Sequence, residues 1–494
     1  MAELDNKFMT LLNVNSIRRE FDLLVERKTD IIDGNINIVC GCDGVNHETF
    51  LLKIAEYSDI ICDKGRTGKY NFQPFREIDV PKPPFEKHQL VEARQANKIR
   101  TLSISTIQDT IFQNLIANVV CEYAEQKFLL NIDNYSYGYR KKKSSKIAVQ
   151  RILKCVEGGY LHVLDGDIEK FFDKIDHTLL TQKMEMFFGV ENILIQRFLY
   201  KFIHVRRIPA DKLREYKHNA SCAEKRVEGI PQGGVLSGLL ANVFLYDFDL
   251  YVINDLMPKY KFKYFRYADD FVLLFKDNNF ISEVNELLRS YLDNEKLKLH
   301  PIGEKTKILD LSSTKKETLD FLGFEISPRY LKIKKDNLRK FKNRLVEALR
   351  NIEVECVDDN YFNLAIGIIN RKIVGLEDRI EQEHGLCPVC RLLIPKRSWI
   401  GYFTMVDDVR LLRNIDTMIR KIIYDDFHRR TKKHLRKKNL LSHTAGQLKS
   451  VEQMYYIYKK QAKKHEKNGY CKCKRFFDID SQMIKVPLTA REEN

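Results

Sequence analysis

Two adjacent carboxylates interrupt a hydrophobic stretch of the chain. Residues 262–276 read Phe-Lys-Tyr-Phe-Arg-Tyr-Ala-Asp-Asp-Phe-Val-Leu-Leu-Phe-Lys, which predicts two β-strands joined by a tight turn at 268–270. Carboxylates placed side by side between buried strands repel each other and lose hydration, so they need a cation nearby. The other Asp-Asp pairs of the chain lack this apolar setting and are interpreted as solvated turns or helix ends. The pair at 269–270 therefore predicts a magnesium site, since Mg²⁺ favours a few carboxylates together with water and substrate phosphates.

Two further segments have the character of an active site. In residues 163–173, Val-Leu-Asp-Gly-Asp-Ile-Glu-Lys-Phe-Phe-Asp, acids again end an apolar strand and aromatic residues follow. Residues 229–238, Gly-Ile-Pro-Gln-Gly-Gly-Val-Leu-Ser-Gly, lead into an apolar helix, and their glycines allow the backbone to approach a flat ligand or a phosphate. Two acid sites on strands with such a loop suit nucleotidyl transfer with two metal ions.

The charge of the chain favours a polyanionic partner. The sequence has 84 Lys and Arg against 68 Asp and Glu, a net charge of +16. This excess indicates nucleic acid before a membrane surface. Residues 431–494 carry 16 of the basic residues and only 6 acidic ones, so most of the excess lies there.

Cysteine usage and hydropathy predict a cytoplasmic protein. The 11 cysteines are an odd number in a long chain, which argues against a secreted disulfide framework. No stretch approaches the roughly 20 apolar residues of a membrane span, and the N-terminus has no signal-peptide pattern. We therefore expect a soluble protein with no membrane partner.

Seven ordered motifs across residues 35–430 resemble those of bacterial reverse transcriptases of the group II intron lineage. The motifs are Gly138-Tyr-Arg140, Asp167-Ile-Glu-Lys-Phe-Phe-Asp173, Pro231-Gln-Gly-Gly234 with Leu239-Leu-Ala-Asn242, Tyr267-Ala-Asp-Asp270, Glu304-Lys-Thr-Lys-Ile308, Phe321-Leu-Gly-Phe324 and Trp399-Ile-Gly-Tyr-Phe403.

This resemblance implies an α+β, right-hand polymerase fold and an RNA-directed DNA polymerase. Fingers and palm, with an antiparallel palm sheet, are expected in residues 1–330. An α-helical thumb with a Cys-x-x-Cys insertion is expected in 331–430. Residues 431–494 would form a basic C-terminal extension that binds RNA or serves in assembly.

The resemblance also implies a catalytic metal site. Asp167, Asp269 and Asp270 match the catalytic carboxylates of the family. With the backbone carbonyl of Ile168 they would bind two Mg²⁺ ions, or Mn²⁺ in their place. Phe172 matches the steric gate, a ring that excludes a 2′-hydroxyl and so selects dNTPs; an ordinary core aromatic is the alternative.

Other matched residues would handle the nucleotide and the primer. Lys82 and Arg100 fall where the family contacts the incoming triphosphate. Gln232 would line the nascent base pair, and Lys305 would act near the pyrophosphate, with an ordinary surface lysine as the alternative. The segment Phe321-Leu322-Gly323 resembles the primer grip.

Departures from the family's pattern bear on the biological setting. Gly238 follows Ser237 where group II enzymes usually have proline, and no match to their DNA-binding or endonuclease regions follows residue 430. The favoured setting is a stand-alone enzyme of antiviral (phage) defence that copies a dedicated noncoding RNA into DNA. Intron-like, CRISPR-associated and repair reverse transcriptases are the alternatives, and an inactive RNA-binding scaffold is a distant one. A homo-oligomer is also left open.

The C-terminal part of the chain contains two further candidate features. Cys387-x-x-Cys390 and Cys471-x-Cys473 could together hold Zn²⁺, with His384 and His428 as substitutes for the second pair; the other seven cysteines are interpreted as buried thiols. The run Tyr455-Tyr-Ile-Tyr-Lys-Lys460 predicts either an aromatic and basic surface that stacks on bases or an amphipathic helix.

Overall fold

The computed structural model describes residues 2–29, 36–85, 87–141, 143–312, 317–353, 357, 359–375, 398–433 and 448–467. These residues form two compact units. The first comprises Met1–Thr29, Ile36–Lys143 and His162–Ile308, and the second comprises Ser144–Leu161 and Leu309–Asn494, as far as these are described. The predicted boundaries at 330 and 430 divide the chain into fingers and palm, thumb and C-terminal extension. These are functional divisions, and they remain predictions.

The first unit has a large helical core. Its longest helix, Ile107–Asn131, begins where the Thr106 side chain accepts a hydrogen bond from the Asp109 N–H. Apolar residues lie all round this helix and are buried, which is typical of a helix at the centre of a core. The helices of this unit are α1 Glu3–Leu11, α2 Val14–Lys28, α3 His47–Leu52, α4 Ile54–Arg66, α5 Leu90–Gln95, α6 Ile107–Asn131, α8 Phe171–Lys174, α9 His177–Phe188, α10 Ile193–Ile203, α11 Leu213–Tyr216, α12 Ser237–Phe244, α13 Tyr246–Tyr251, α14 Met257–Tyr260 and α15 Ile281–Asn294.

An antiparallel sheet carries the predicted acid sites. Its strands lie in the order β5 (Lys263–Tyr267), β6 (Asp270–Phe275), β3 (His162–Asp167) and β7 (Lys307–Asp310). The hairpin expected in 262–276 and the strand that ends at the first acid site are both confirmed. The run from Phe271 to Phe275 is buried throughout, as expected for an inner strand with side chains covered on both faces.

A second sheet of this unit carries two of the predicted phosphate-binding cations. Strand β1 (Phe75–Pro81) lies between β2 (Ile99–Ile104) and the short β4 (Arg207–Ile208). β1 and β2 are antiparallel, with Val80 opposite Arg100. Lys82, one residue beyond β1, donates its backbone N–H to the Lys98 carbonyl at 2.7 Å. The register therefore brings the backbones of Lys82 and Arg100 to the same end of the hairpin.

The second unit combines helices with a small antiparallel sheet. A pair of strands was expected in residues 318–333, and the structure has three: β8 (Leu319–Phe321), β9 (Phe324–Ser327) and β10 (Tyr330–Ile333). The turn at Pro328 continues the chain into β10, which pairs with β9 in register with Tyr330 opposite Ser327. Its helices are α7 Ser145–Glu157, α16 Lys335–Arg350, α17 Asp359–Val374, α18 Trp399–Tyr402, α19 Val409–Thr431 and α20 Val451–Lys467.

Helix α20 accounts for the aromatic run near the C-terminus. Tyr455 and Tyr458 are buried, and their hydroxyls donate to the carbonyls of Val406 at 2.7 Å and Val374 at 3.2 Å. Of the two alternatives predicted for this run, the base-stacking surface is therefore wrong for these two tyrosines, because the helical periodicity directs their side chains into the core. Tyr456 between them stays about half exposed. None of the helices in the described ranges is long and apolar enough to span a bilayer.

Candidate active site

The strand register brings the predicted carboxylates together. Asp167 ends β3 and Asp270 begins β6, and the two residues lie directly opposite each other in the antiparallel ladder. Residues in that relation have neighbouring side chains on one face of the sheet. Asp269 precedes Asp270 in the two-residue turn of the β5–β6 hairpin. A turn and a cross-strand pair thus gather three carboxylates at one sheet edge.

The pKa values of these carboxylates reflect their crowding. Burial raises the pKa of Asp270 to about 7, and the charges of Asp269, Asp167 and Asp165 add to the rise. Burial also raises the pKa of Asp269, with a further contribution from Asp167, whereas Arg100 and Lys305 oppose the rise. The sheet edge is therefore a site of strong negative potential that a bound cation would relieve.

Lys305 and His300 contact the first of the three carboxylates. The Lys305 ammonium lies 3.0 Å from Oδ1 and 3.2 Å from Oδ2 of Asp167. His300 Nε2 lies 3.5 Å from Asp167 Oδ1, and the His300 backbone N–H donates to the Asp167 carbonyl at 3.0 Å. Within the described ranges, no group of three or more His, Cys, Asp or Glu side chains forms a ready-made metal cluster. In this conformation Lys305 neutralises Asp167 in the manner of a counter-ion.

The backbone carbonyl of Ile168 is directed away from the neighbouring segment at Leu299. Ile168 pairs with Leu299 in a single antiparallel bridge, through bonds made by its neighbours Glu169 and Asp167. In such a pair the carbonyl of the intervening residue points away from the partner segment. The Ile168 carbonyl therefore points to the side of β3 on which β6 begins.

Lys82 lies within electrostatic range of three other cations, two of which also act on the carboxylates. Burial lowers the pKa of Lys82, and the positive charges of Arg100, Lys305 and Lys170 lower it further. The sequence singled out three of these residues, and the structure adds Lys170. Lys170 lies three residues after Asp167, in the left-handed backbone conformation that begins α8. Its position in the Asp-Ile-Glu-Lys motif was the signal that could have identified it.

Phe172 and Gln232 are linked through the glycine-rich loop. The Phe172 side chain is 8% exposed, and its backbone carbonyl accepts the Ile230 N–H at 2.8 Å. The Gln232 carbonyl accepts the N–H of Ser103, in the strand that carries Arg100, at 2.8 Å. The loop thus ties the proposed steric gate to the strand of a predicted triphosphate contact.

A fully buried arginine supports the predicted catalytic turn, which consists of Ala268 and Asp269. Arg266, at 0% exposure, donates to the Ala268 carbonyl at 2.8 Å and to the Asn242 side-chain oxygen at 3.0 Å. Its charge is balanced by Asp249, which is also fully buried and accepts from Arg266 Nε at 2.7 Å. The Asn242 amide in turn donates to the Gly138 carbonyl at 2.8 Å. This network was missed because a lone arginine in a strand carries no sequence signal of burial.

The predicted primer grip lies in the second unit. Phe321 ends β8, and Leu322 and Gly323 form the turn into β9, both with positive φ, at 48° and 86°. The Leu322 carbonyl accepts from the Tyr402 hydroxyl at 2.9 Å.

The candidate zinc ligands Cys387, Cys390, Cys471 and Cys473 lie outside the described residues.

The family is established by comparison with known proteins. A family model described as "Reverse transcriptase (RNA-dependent DNA polymerase)" matches residues 80–326, half of the chain. The chain belongs to this family of enzymes. The expected resemblance, the right-hand polymerase fold and the enzyme class are thereby confirmed.

Two curated relatives refine the comparison. The protein YkfC of Escherichia coli is 27% identical over 301 residues, which cover 54% of this chain and 71% of YkfC. The group II intron-encoded protein LtrA of Lactococcus lactis is 25% identical over 323 residues. That match covers 53% of this chain and 48% of LtrA, so the chain spans about half the length of the intron protein. Among solved structures, telomerase from Candida albicans aligns with a TM-score of 0.39 at 12% identity, over 80% of this chain and 67% of the telomerase.

Proposed function

We propose that the chain synthesises DNA on an RNA template, with Asp167, Asp269 and Asp270 as its catalytic carboxylates. The observation that carries the proposal is the register of β3 and β6, which sets Asp167 opposite Asp270 beside the Asp269 turn. A buried cluster of this kind has little structural use, because the carboxylates raise one another's pKa.

The donor set fits Mg²⁺, with Mn²⁺ as a substitute. The three carboxylates and the Ile168 carbonyl are hard oxygen donors of the kind that Mg²⁺ prefers. Two ions bound there would activate the primer 3′-hydroxyl and stabilise the charge of the leaving pyrophosphate. Lys305 must leave Asp167 for that carboxylate to serve as a ligand, and the triphosphate is its natural second partner.

The surrounding side chains would bind and select the nucleotide. Lys82, Arg100, Lys170 and Lys305 supply positive charge for the triphosphate of a dNTP. Phe172 would exclude a 2′-hydroxyl, and Gln232 would line the nascent base pair. Phe321, Leu322 and Gly323 would hold the primer strand from the second unit.

We propose antiviral defence as the biological setting, with a dedicated noncoding RNA as template. The proposal builds on the membership of the reverse transcriptase family, and the net charge of +10 in residues 431–494 suits an RNA partner. Intron mobility, CRISPR adaptation and DNA repair are the competing settings for the same chemistry. An inactive RNA-binding scaffold is the alternative without chemistry.

The test is co-expression of the chain with its native flanking DNA. The purified protein is supplied with labelled dNTPs and Mg²⁺ but no template, beside an Asp269→Ala control. An RNase-sensitive, Asp269-dependent DNA product supports a resident template RNA. Copying of a supplied primed RNA alone would contradict the dedicated template and favour an intron-like or repair enzyme. RNA binding without incorporation in Mg²⁺ or Mn²⁺ would overturn the polymerase proposal.

A further inference from the structure

Tyr139 presents an exposed aromatic ring from a rigidly held backbone. Its side chain is 56% exposed, although the residues on either side are anchored in the core. The Gly138 carbonyl accepts from Asn242, and the Arg140 guanidinium, with no exposed surface, pairs with Glu125 at 2.8 Å. Tyr139 itself has a φ of 57°, a conformation that is unfavourable for a bulky residue and persists only where the surroundings impose it.

The Tyr139 ring packs against the backbone of Gly238, at the start of α12. A Cβ atom at Gly238 would lie 2.5 Å from Cγ and 2.6 Å from Cδ1 of Tyr139, closer than non-bonded carbons approach. The ring therefore rests directly on the Gly238 backbone, and a larger residue at 238 would displace it. The C-terminal end of the glycine-rich loop thus fixes the position of the exposed Tyr139 ring.

The ring lies at the catalytic site. Its centroid is 6.2 Å from that of Phe172, with the two planes at 87°, an edge-to-face arrangement. Burial raises the pKa of the Tyr139 phenol, and the charges of Asp269, Tyr267 and Asp270 raise it while Arg100 lowers it. Tyr139 is thus within electrostatic reach of both a catalytic carboxylate and a predicted triphosphate contact.

We propose that the Tyr139 ring, seated on Gly238, stacks on a nucleobase of the nascent base pair. The inference rests on the proposed function, in which the neighbouring Phe172 faces the sugar of the incoming nucleotide. A half-exposed aromatic face beside that sugar offers the surface on which bases stack, and stacking tolerates all four bases because each has a π-face. The perpendicular Phe172 and Tyr139 rings then contact the sugar and the base respectively.

The experiment measures single-nucleotide incorporation on a primed RNA template, with kcat and KM for each of the four dNTPs. We expect Tyr139→Ala to raise KM about 5- to 100-fold, by a similar factor for all four dNTPs, with a smaller change in kcat. Tyr139→Phe, which keeps the ring, is expected to rescue most of that loss. A rise confined to one dNTP, or no rescue by Phe, would overturn stacking.

Gly238→Ala tests the seat independently and keeps the proposal falsifiable if Tyr139→Ala does not fold. It should raise KM while the ring is present and add little in a Tyr139→Ala background, because the two nearest atoms, Cγ and Cδ1, are then gone and only Cβ, at 3.0 Å, remains. If the effects of Gly238→Ala and Tyr139→Ala on KM are additive in the double variant, the proposed contact between the ring and Gly238 is contradicted. Phe280→Ala, a 44% exposed ring of the same unit outside the site, is the matched control and should leave KM within twofold.

The outcomes separate this inference from the proposed function. If the wild-type chain incorporates dNTPs and Tyr139→Ala leaves every KM within twofold, the stacking role fails and the polymerase proposal stands. If the wild-type chain incorporates no nucleotide, the polymerase proposal fails and the stacking role falls with it.

Discussion

Two tight hairpins carry the predicted functional residues, and their turns have similar backbones. The β5–β6 hairpin turns at Ala268 and Asp269, and the β8–β9 hairpin turns at Leu322 and Gly323. In each, the first turn residue is not glycine yet has a positive φ, 59° at Ala268 and 48° at Leu322. Such a residue costs about 1–2 kcal/mol relative to the right-handed conformation, so each turn needs support from its surroundings.

The supports of the two turns differ in charge and burial. The Ala268 carbonyl is held by the buried Arg266 of an ion pair. The turn at Leu322 and Gly323, which we call the grip turn, is held by neutral donors. The Tyr402 hydroxyl donates to the Leu322 carbonyl, and the Asn337 amide donates to the Gly323 carbonyl at 3.1 Å. A buried ion pair fixes geometry but is costly to break on one side, whereas a neutral hydrogen bond is worth about 1 kcal/mol. The catalytic turn therefore has the more rigid support, and it should lose more stability when one partner of that support is removed.

The largest expected effect comes from the carboxylates of the catalytic turn. Asp270→Asn should reduce DNA synthesis on primed RNA about 10³-fold or more, since it removes several kcal/mol of charge stabilisation. Without metal, the melting temperature should not fall, because the substitution relieves the repulsion that raises the Asp270 pKa. A variant that keeps a tenth of the wild-type rate would contradict the assignment.

Breaking the support of the catalytic turn should cost more stability than any change at the grip turn. Arg266→Met leaves Asp249 buried without its charged partner, although the Tyr264 hydroxyl still donates to it, and we expect a loss of about 3–5 kcal/mol in urea unfolding. The double variant Arg266→Met/Asp249→Leu should recover part of that loss, because no uncompensated charge remains. A single-variant loss below about 1 kcal/mol would remove the contrast between the two turns.

At the grip turn the expected change is smaller and of a different kind. Gly323→Ala introduces a Cβ at a φ of 86° and against the Asn337 side chain, with an expected cost of about 1–2 kcal/mol. If this turn holds the primer, the KM for primed template should rise while the KM for dNTPs changes little. A rise in the dNTP KM alone would indicate that the turn does not serve as a primer grip.

The last expected effect is a pH dependence of stability in the metal-free protein, a gradual change rather than the loss of an interaction. The pKa of Asp270 rises from 3.8 to about 7 on folding, so the folded chain holds a proton that the unfolded chain loses within this range. The stabilisation is fully present below about pH 4 and is lost as the pH rises through 7. The melting temperature in EDTA should therefore fall between pH 5.5 and 8, and less so in Asp270→Asn.

A matched comparison is needed for this measurement because Asp109 titrates in the same range. Burial raises its pKa to about 7 as well. The difference between wild type and Asp270→Asn isolates the catalytic group. Identical pH profiles for the two proteins would mean that the carboxylate cluster does not couple to stability. Added Mg²⁺ should remove the difference by favouring the ionised carboxylate.

The convergence of the predicted active-site carboxylates could be anticipated from sequence because their signal is local. An apolar run broken by Ala268-Asp269-Asp270 specifies a hairpin, and the alternation of side chains across strands specifies the face. The convergence of Asp167 with this turn followed from the ordered motifs. The third strand, which pairs with the adjacent β9 across the turn at Pro328, was not distinguished from its neighbour by the sequence pattern. The burial of Tyr455 and Tyr458 was not predicted because it depends on partners elsewhere in the second unit.

The sequence alone thus determined the polymerase class, the candidate catalytic acids and the strand-turn-strand unit that presents two of them, since each depends on residue type and short-range order. Tertiary structure decided what holds and surrounds them. Arg266 is buried with Asp249, Lys170 lies within electrostatic range of Lys82, and Tyr139 rests on Gly238, ninety-nine residues later in the chain. Whether a charge is buried or a ring is exposed depends on which distant segments pack against it, and no local pattern encodes that choice.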